Sequence, residues 1–224
     1  SQNRWDGLCS LAACAPIYSI PCLQAEVFAE VSLEVRLDSL AIMQHASYEL
    51  CGQTELDKRL KERGDMVKSS SSNQNLAVKV TENLKTRRWG HKQHSKASVT
   101  NKFGELSPLF FYPLIQGFLR SKSDKILWGG ENGGRLLSSL LITLSTCVDC
   151  AGIHPGKAIL SSDLFDLAWS FRQAQNPEVR HAVLVSVAIC LPQLNPIALT
   201  KILSTEQLPE DLKRIKEYDS NSEC

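Results

Sequence analysis

The segment from residue 176 to 194, NPEVRHAVLVSVAICLPQL, restricts the fold more than any other part of the sequence. Asn176 and Pro177 are typical of a helix start, because an Asn side chain accepts a hydrogen bond from an unpaired N–H and Pro lacks a donor that the first turn cannot satisfy. Apolar residues then cover most of the helix circumference, which predicts a helix packed between two neighbours. The inner face predicted from the helical period consists of Val179, Ala182, Val183, Val187 and Cys190.

Apolar residues elsewhere in the chain also recur at helical intervals, and strand signals are scarce. Antiparallel helices of about 12–18 residues joined by short turns are the units of HEAT-type solenoids. We therefore predict an all-α fold, specifically a HEAT-like α-solenoid of antiparallel helix pairs. The predicted divisions are a helical N-terminal lobe over 1–63, a disordered basic and Ser-rich linker over 64–102, and a helical-repeat lobe over 103–224 that is truncated at its end.

Two local predictions concern helix boundaries in the C-terminal half. Pro113 lies inside the apolar run LSPLFFYPLIQGFLR, and a proline in a helix interior costs about 3 kcal/mol, so we predict a break or kink there. Ser161 or Ser162 is predicted to cap the next helix, which places Asp163 and Asp166 in its first two turns.

The glycine-rich sequence WGGENGG, residues 128–134, has two interpretations. A phosphate-binding loop requires Gly-x-x-x-x-Gly-Lys followed by Ser or Thr, because the lysine neutralises phosphate and the hydroxyl binds magnesium. Gly129 and Gly134 have the required spacing, but Arg135 and Leu136 follow them, and no strand precedes the loop. Glycines also permit positive φ angles in a tight corner between helices. The pattern favours the corner and no nucleotide.

Residues 85–102 contain six Lys or Arg residues and no acidic residue. One interpretation is a basic arm that binds nucleic acid, with Trp89 stacking on a base. The other is a solvated linker, which we favour because no nucleic-acid-binding motif accompanies the segment. The residues that would make the nucleic-acid contacts are Lys85, Arg87, Arg88, Trp89 and Lys92.

The eight cysteines lie mostly in apolar, helix-like surroundings of a chain too long for a disulfide-stapled miniprotein. This predicts reduced thiols in a cytosolic or nuclear protein. Cys147, Cys150 and His154 are a candidate set of three zinc ligands, but zinc ribbons need a second pair at similar spacing. We therefore predict that the cysteines pack in the core and that the chain binds neither metal nor cofactor.

Composition and motifs favour no enzymatic, membrane or polyanion-binding class. The formal net charge of +1 gives no global field that would attract nucleic acid or a membrane surface. The sequence contains no run of about 18 apolar residues and no signal-peptide pattern at SQNRWDGLCS. Neither a nucleophile elbow nor a Cys/His/Asn signature is present, so no catalytic residue is predicted.

Several segments together resemble one protein family. They are EVRLDSLAIMQHASYEL at 34–50, KTRRWG at 85–90, FFYPL at 110–114, GRLLSSLL at 134–141 and the long stretch at 156–194. In order and spacing they are similar to the C-terminal conserved region of the telomere length regulation family, the Tel scaffold of the Triple-T complex. The resemblance covers most of residues 20–217.

The resemblance implies an α-solenoid adaptor without enzymatic activity, present in the cytoplasm and nucleus. Its implied partners are the Tel-interacting solenoid proteins of the Triple-T complex, phosphatidylinositol 3-kinase-related kinases, and heat shock protein 90 with its RuvB-like ATPase adaptor complex. TOR signalling, the DNA-damage response and telomere length would depend on it. The SSSSNQN stretch at 69–75 lacks the acidic neighbours of the family's phosphorylated docking site. Telomeric DNA bound through residues 85–102 remains the alternative.

Five residues are predicted to be structural centres of the fold. Trp169 should connect its helix to the helix after Asn176, and Arg180 should bond acceptors in the preceding turn. A competing interpretation makes both residues an interface hot spot, since Trp and Arg dominate binding energy at protein interfaces. The full set is Phe111, Pro113, Trp169, Val179 and Arg180.

Overall fold

A computed structural model describes residues 2–53 and 100–194, together with Thr200, Glu210, Lys213 and Arg214. All regular elements in these residues are helical, which confirms the predicted all-α class. None of the described helices is both long and apolar enough to cross a bilayer. The helices are α1 (Gln2–Cys14), α2 (Pro16–Val27), α3 (Leu33–Cys51), α4 (Phe103–Ser121), α5 (Lys125–Trp128), α6 (Gly130–Cys150), α7 (Lys157–Trp169) and α8 (Pro177–Cys190), followed by a 3₁₀ turn (Leu191–Gln193).

The helices after α1 form two rows. In one row α3 packs on α6, and α6 packs on α8. In the other row α2 packs on α4, and the Phe118 ring of α4 packs edge-on against Phe171, just after the end of α7, with 5.7 Å between ring centroids. Consecutive helices connect the rows as the pairs α2–α3, α4–α6 and α7–α8, while α1 lies against α2 and α3. Helix α6 is therefore central, with neighbours on several sides.

One continuous apolar core fills the space between the rows and includes residues from before and after the segment 54–99. The predicted inner face of α8 is buried at every position. Asn176 and Pro177 begin this helix as predicted, and the Asn176 side chain accepts a hydrogen bond from the Glu178 N–H at 2.8 Å. Most of the predicted linker over 64–102 lies outside the described residues, so its predicted disorder remains a prediction.

Of the break or kink predicted at Pro113, the break is wrong, because α4 continues through both Pro108 and Pro113. A proline at position 113 cannot donate to the carbonyl of Leu109, four residues earlier. Gln24 of α2 supplies the missing donor, since its Nε2 lies 2.8 Å from the Leu109 oxygen and 3.2 Å from the Phe110 oxygen. The neighbouring helix thus satisfies the backbone group that the proline leaves unpaired.

Pro108 is accommodated by a local version of the same arrangement. Its missing donor leaves the Gly104 carbonyl without the usual helical partner. The buried Ser107 hydroxyl donates to that carbonyl at 2.7 Å. Both interior prolines of α4 are therefore compatible with a continuous helix.

The predicted cap at Ser161 or Ser162 is wrong. Helix α7 begins at Lys157, one turn earlier, and Ser161 is buried inside it with its hydroxyl donating to the Lys157 carbonyl at 2.8 Å. Asp163 consequently lies in the middle of the helix. Burial and the nearby Asp163 carboxylate together raise the pKa of Tyr112 in α4. The serines that look like caps in the sequence are interior residues because α7 packs along its whole length.

Candidate partner-binding groove

An open groove of about 630 Å³ crosses the row formed by α3, α6 and α8. Because helical positions three and four apart share a face, each helix contributes residues at that spacing. We call this surface the α3–α6–α8 groove. Its lining residues are Leu37, Asp38, Ala41 and Gln44 of α3, Ser138, Ser139 and Ile142 of α6, and Glu178, His181 and Ala182 of α8.

Small side chains and one hydrogen bond determine the groove floor. Ala41, Ser139 and Ala182 occupy little volume, which leaves a depression between the helices. The Gln44 Nε2 donates to the Thr143 Oγ1 at 2.7 Å and thereby joins α3 to α6. This bond connects residues that are 99 positions apart in the sequence, so it fixes the relative register of the two helices.

A second polar pair joins α6 to α8 inside the core. The Ser145 and Ser186 hydroxyl oxygens lie 2.8 Å apart, and both side chains are fully buried. Each hydroxyl also lies 2.8 Å from the carbonyl four residues before it, so both protons have an acceptor: one serine donates to the other, and the second donates to its own carbonyl. Buried polar groups that are all satisfied favour one helix register over others.

The charged groups of the groove are acidic. Asp38 and Glu178 are exposed on opposite sides of it, His181 is exposed beside Glu178, and the described lining contains neither lysine nor arginine. Leu37 and Ile142 add partly exposed apolar surface. Acidic groups around a partly apolar surface suit a polypeptide segment in which basic side chains flank an apolar side chain. A phosphate backbone would be repelled by the two carboxylates.

Val179 and Arg180 position the α8 side of the groove. Val179 is buried in the core directly after the lining residue Glu178. The Arg180 Nη1 donates to the carbonyls of Ala174 and Gln175 at 3.0 and 2.8 Å. Arg180 therefore bonds the turn before α8 and holds the start of the helix against that turn.

The other predicted structural centres lie away from the groove. Trp169 is partly buried at the end of α7, where its ring stacks on Phe165 at 5.8 Å and the Arg172 guanidinium lies 5.4 Å from its centroid. Phe111 is fully buried in α4, and Pro113 is partly exposed in the same helix. The exposed part of Trp169 leaves its structural and interfacial interpretations both open.

The glycine-rich corner is built by close packing. Gly130 has a φ of +66°, and α6 begins there, so Gly133 and Gly134 belong to the helix. A Cβ on Gly133 would collide with the Trp128 backbone. The Trp128 ring packs edge-on against Phe118, with 4.9 Å between ring centroids. These contacts account for the glycines through the geometry of a helix corner.

The structure places the three candidate zinc ligands, Cys147, Cys150 and His154, in surroundings that differ from those of a zinc site. Cys147 is fully buried, and desolvation raises the pKa of its thiol to about 12. The His154 Nδ1 accepts a hydrogen bond from the Gly156 N–H at 3.1 Å, in the turn before α7. In the described part of the chain, no three His, Cys, Asp or Glu residues are grouped as a metal site would require.

The remaining predicted contact residues lie outside the described residues; they are Lys85, Arg87, Arg88, Trp89 and Lys92. No motif or spacing in the sequence marks Asp38, Gln44 or His181 as site residues. Helical spacing shows that such residues share a helix face, but only the tertiary packing brings the three faces together. Comparison with protein-family models, curated proteins and solved structures finds no match to this chain.

Proposed function

We propose that this chain is a non-enzymatic, HEAT-like scaffold that binds partner proteins. The observation that supports the proposal is the arrangement of α2–α3, α4–α6 and α7–α8 as successive pairs that form two rows. Stacked pairs of this kind create an extended surface along one row, which is how solenoids bind partners. The α3–α6–α8 groove lies on such a surface.

The proposed family is that of telomere length regulation scaffolds, on the strength of the sequence resemblance. Within it, the chain would join the Tel-interacting solenoid proteins of the Triple-T complex. It would support the folding of phosphatidylinositol 3-kinase-related kinases by heat shock protein 90 and its RuvB-like ATPase adaptor complex, in the cytoplasm and nucleus. The helix pairing is compatible with this role but is shared by many other scaffolds.

The proposed occupant of the groove is a basic segment of a Tel-interacting solenoid partner. Charge complementarity with Asp38 and Glu178 motivates this choice. Complementary charges at the rim of an interface mainly accelerate association, whereas apolar contacts at Leu37 and Ile142 would contribute to the lifetime of the complex.

The test is calorimetric titration of the purified chain with each recombinant Tel-interacting solenoid protein. Two variants alter the groove without touching the core: Asp38→Lys reverses a charge, and Ser138→Arg places a long cation inside. The matched control is Asp166→Lys, because Asp166 is also an exposed helical aspartate but belongs to α7, which does not line the groove. We expect affinity to fall about tenfold or more in both groove variants and to stay near the parent value in the control.

Two outcomes test the family assignment and the groove assignment separately. Absence of binding by the parent chain to every Triple-T partner would contradict the family assignment. Binding that is equally strong in parent and groove variants would show that the partner occupies a different surface. Melting curves of the variants establish that each one is folded.

The alternative function is nucleic-acid binding through residues 85–102, which carry six basic residues and no acidic one. Phosphate contacts release counterions, so the logarithm of the association constant falls linearly and steeply with the logarithm of salt concentration. A titration with telomeric duplex DNA at several salt concentrations distinguishes this function from protein binding. A steep slope that disappears when the basic residues are replaced would favour the alternative.

A further inference from the structure

The C-terminal ends of α3 and α6 lie next to each other, although they are about 100 residues apart in the sequence. Two consecutive residues bridge them. The Lys102 N–H donates to the Leu50 carbonyl at 3.0 Å, and the Asn101 Nδ2 donates to the Cys150 carbonyl at 2.8 Å. The Asn101 Oδ1 also accepts from the Phe103 N–H at 2.9 Å, so this bridge is fixed to the start of α4. Cys51 and Cys150 are the last residues of the two joined helices.

The two thiols lie close enough for each to shift the pKa of the other. Cys150 lowers the pKa of the Cys51 thiol to about 7, against the opposing effects of desolvation and the Asp149 carboxylate. Cys51 in turn raises the pKa of Cys150, and burial raises it further. Cys51 is partly exposed whereas Cys150 is only 3% exposed, so Cys51 is the group that ionises first and meets solvent.

We propose that Cys51 and Cys150 are a reversible redox modification site at which a disulfide fastens α3 to α6. The oxidant is a low-molecular-weight disulfide such as glutathione disulfide. The Cys51 thiolate attacks one sulfur of glutathione disulfide, forming a mixed disulfide and releasing one glutathione thiolate. The Cys150 thiol loses its proton to solvent and attacks the Cys51 sulfur, which forms the Cys51–Cys150 bond and releases the second glutathione. Two protein thiols are oxidised, and one glutathione disulfide is reduced to two thiols.

The other described cysteines do not share this arrangement. Cys147 and Cys190 are buried, and desolvation raises the pKa of each thiol to about 12, which disfavours their thiolates. Cys14 and Cys22 are exposed, on the first two helices. They provide controls for general surface oxidation, because glutathione reaches them without the paired geometry.

The disulfide would lie on the same two helices that form the floor of the α3–α6–α8 groove. Gln44 and Cys51 are seven residues apart on α3, which is about two helical turns. A covalent bond at the helix ends would therefore fix the spacing of α3 and α6 close to the Gln44–Thr143 hydrogen bond. The inference does not depend on the identity of any partner that binds the groove.

The test exposes the purified full chain at pH 7.5 to glutathione buffers of increasing oxidised fraction, followed by alkylation of free thiols and peptide mass spectrometry. The parent chain should yield a peptide linked through Cys51 and Cys150 that disappears on reduction. Cys22→Ser should behave as the parent does. Cys150→Ala should yield no linked peptide and should instead accumulate glutathione on Cys51, because the resolving thiol is missing.

The parent measurement alone is sufficient to refute the proposal, even if a variant fails to fold. If the parent accumulates glutathione on Cys51 without a Cys51–Cys150 peptide, the two thiols do not act as a pair. If oxidation is no greater at Cys51 than at Cys22, the site has no special reactivity. Either result would overturn the assignment.

Discussion

The hydrogen bond from Gln24 to the Leu109 carbonyl gives the sharpest test of how α4 accommodates Pro113. Gln24→Met keeps the length and approximate volume of the side chain but removes its donor. The α-helical pattern assigns the N–H of Leu114 to the Phe110 carbonyl, so the substitution should leave only the Leu109 carbonyl unpaired. Gln24 is only 6% exposed, and its bond to the Leu109 oxygen is partly buried. An unsatisfied buried acceptor costs about 1–3 kcal/mol, which is the expected loss in the free energy of unfolding.

The substitution Pro113→Ala provides the matched background. An alanine at position 113 restores the N–H that normally bonds Leu109, so Gln24 is no longer the only donor for that carbonyl. In this background Gln24→Met should cost about 0–1 kcal/mol, since no backbone group loses its last partner. The coupling between the two positions should therefore be about 1–2 kcal/mol, a magnitude typical of residues that share one hydrogen-bond network.

Urea unfolding of the parent, the two single variants and the double variant measures this coupling directly. At a cost of about 2 kcal/mol, the melting temperature of Gln24→Met should fall by about 4–8 °C in a domain of this size. Pro113→Ala alone should not destabilise the chain, because it removes a residue that is unfavourable in helices. An equal cost of Gln24→Met in both backgrounds would show that Gln24 contributes only packing and would refute the reasoning.

Three further predictions follow from local geometry. Gly133→Ala should lower the free energy of unfolding, measured in urea, by about 1–3 kcal/mol, because the added Cβ would collide with backbone atoms. The control is Gly7→Ala, whose added Cβ meets open space and should stabilise α1 by up to about 1 kcal/mol. Trp169→Ala and Arg180→Ala should each lower the melting temperature, and partner binding should weaken only as folding does; unchanged melting with lost binding would instead make them interface residues. The alkylation rate of Cys51 should rise with pH, be half-maximal near its pKa of about 7, and fall about tenfold per pH unit well below it, because the thiolate is the nucleophile.

The sequence predicts the buried faces and the starts of helices correctly where local helical geometry determines them. Val183 and Val187 are buried on the inner face of α8 because residues four apart share one side of a helix. Asn176 and Pro177 begin that helix because their preferences concern backbone groups within the same turn. Such local causes are present in the sequence itself. The all-α class follows from them without any knowledge of tertiary contacts.

The predictions failed, or were not made, where distant residues decide the outcome. Gln24, the donor that makes Pro113 compatible with a continuous helix, lies 85 positions before its acceptor Leu109, so no local pattern reveals it. Serine is a common helix cap, but the Ser161 hydroxyl donates to the preceding turn of its own helix. This position inside α7 is evident only from the tertiary structure. The groove is a similar case, because three helix faces meet there that no periodicity relates to one another.

Polar contacts between helices connect these observations to the proposed scaffold role. Gln44–Thr143 joins α3 to α6, and Ser145–Ser186 joins α6 to α8, so each neighbouring pair in this row has at least one hydrogen-bonded contact. Apolar attraction is non-directional, whereas a helix slid by one turn would leave buried polar groups unpaired. The two contacts therefore define one register for the three helices. A groove formed by residues from all three has a constant shape for the same reason, and a preformed binding surface needs less ordering when its partner binds.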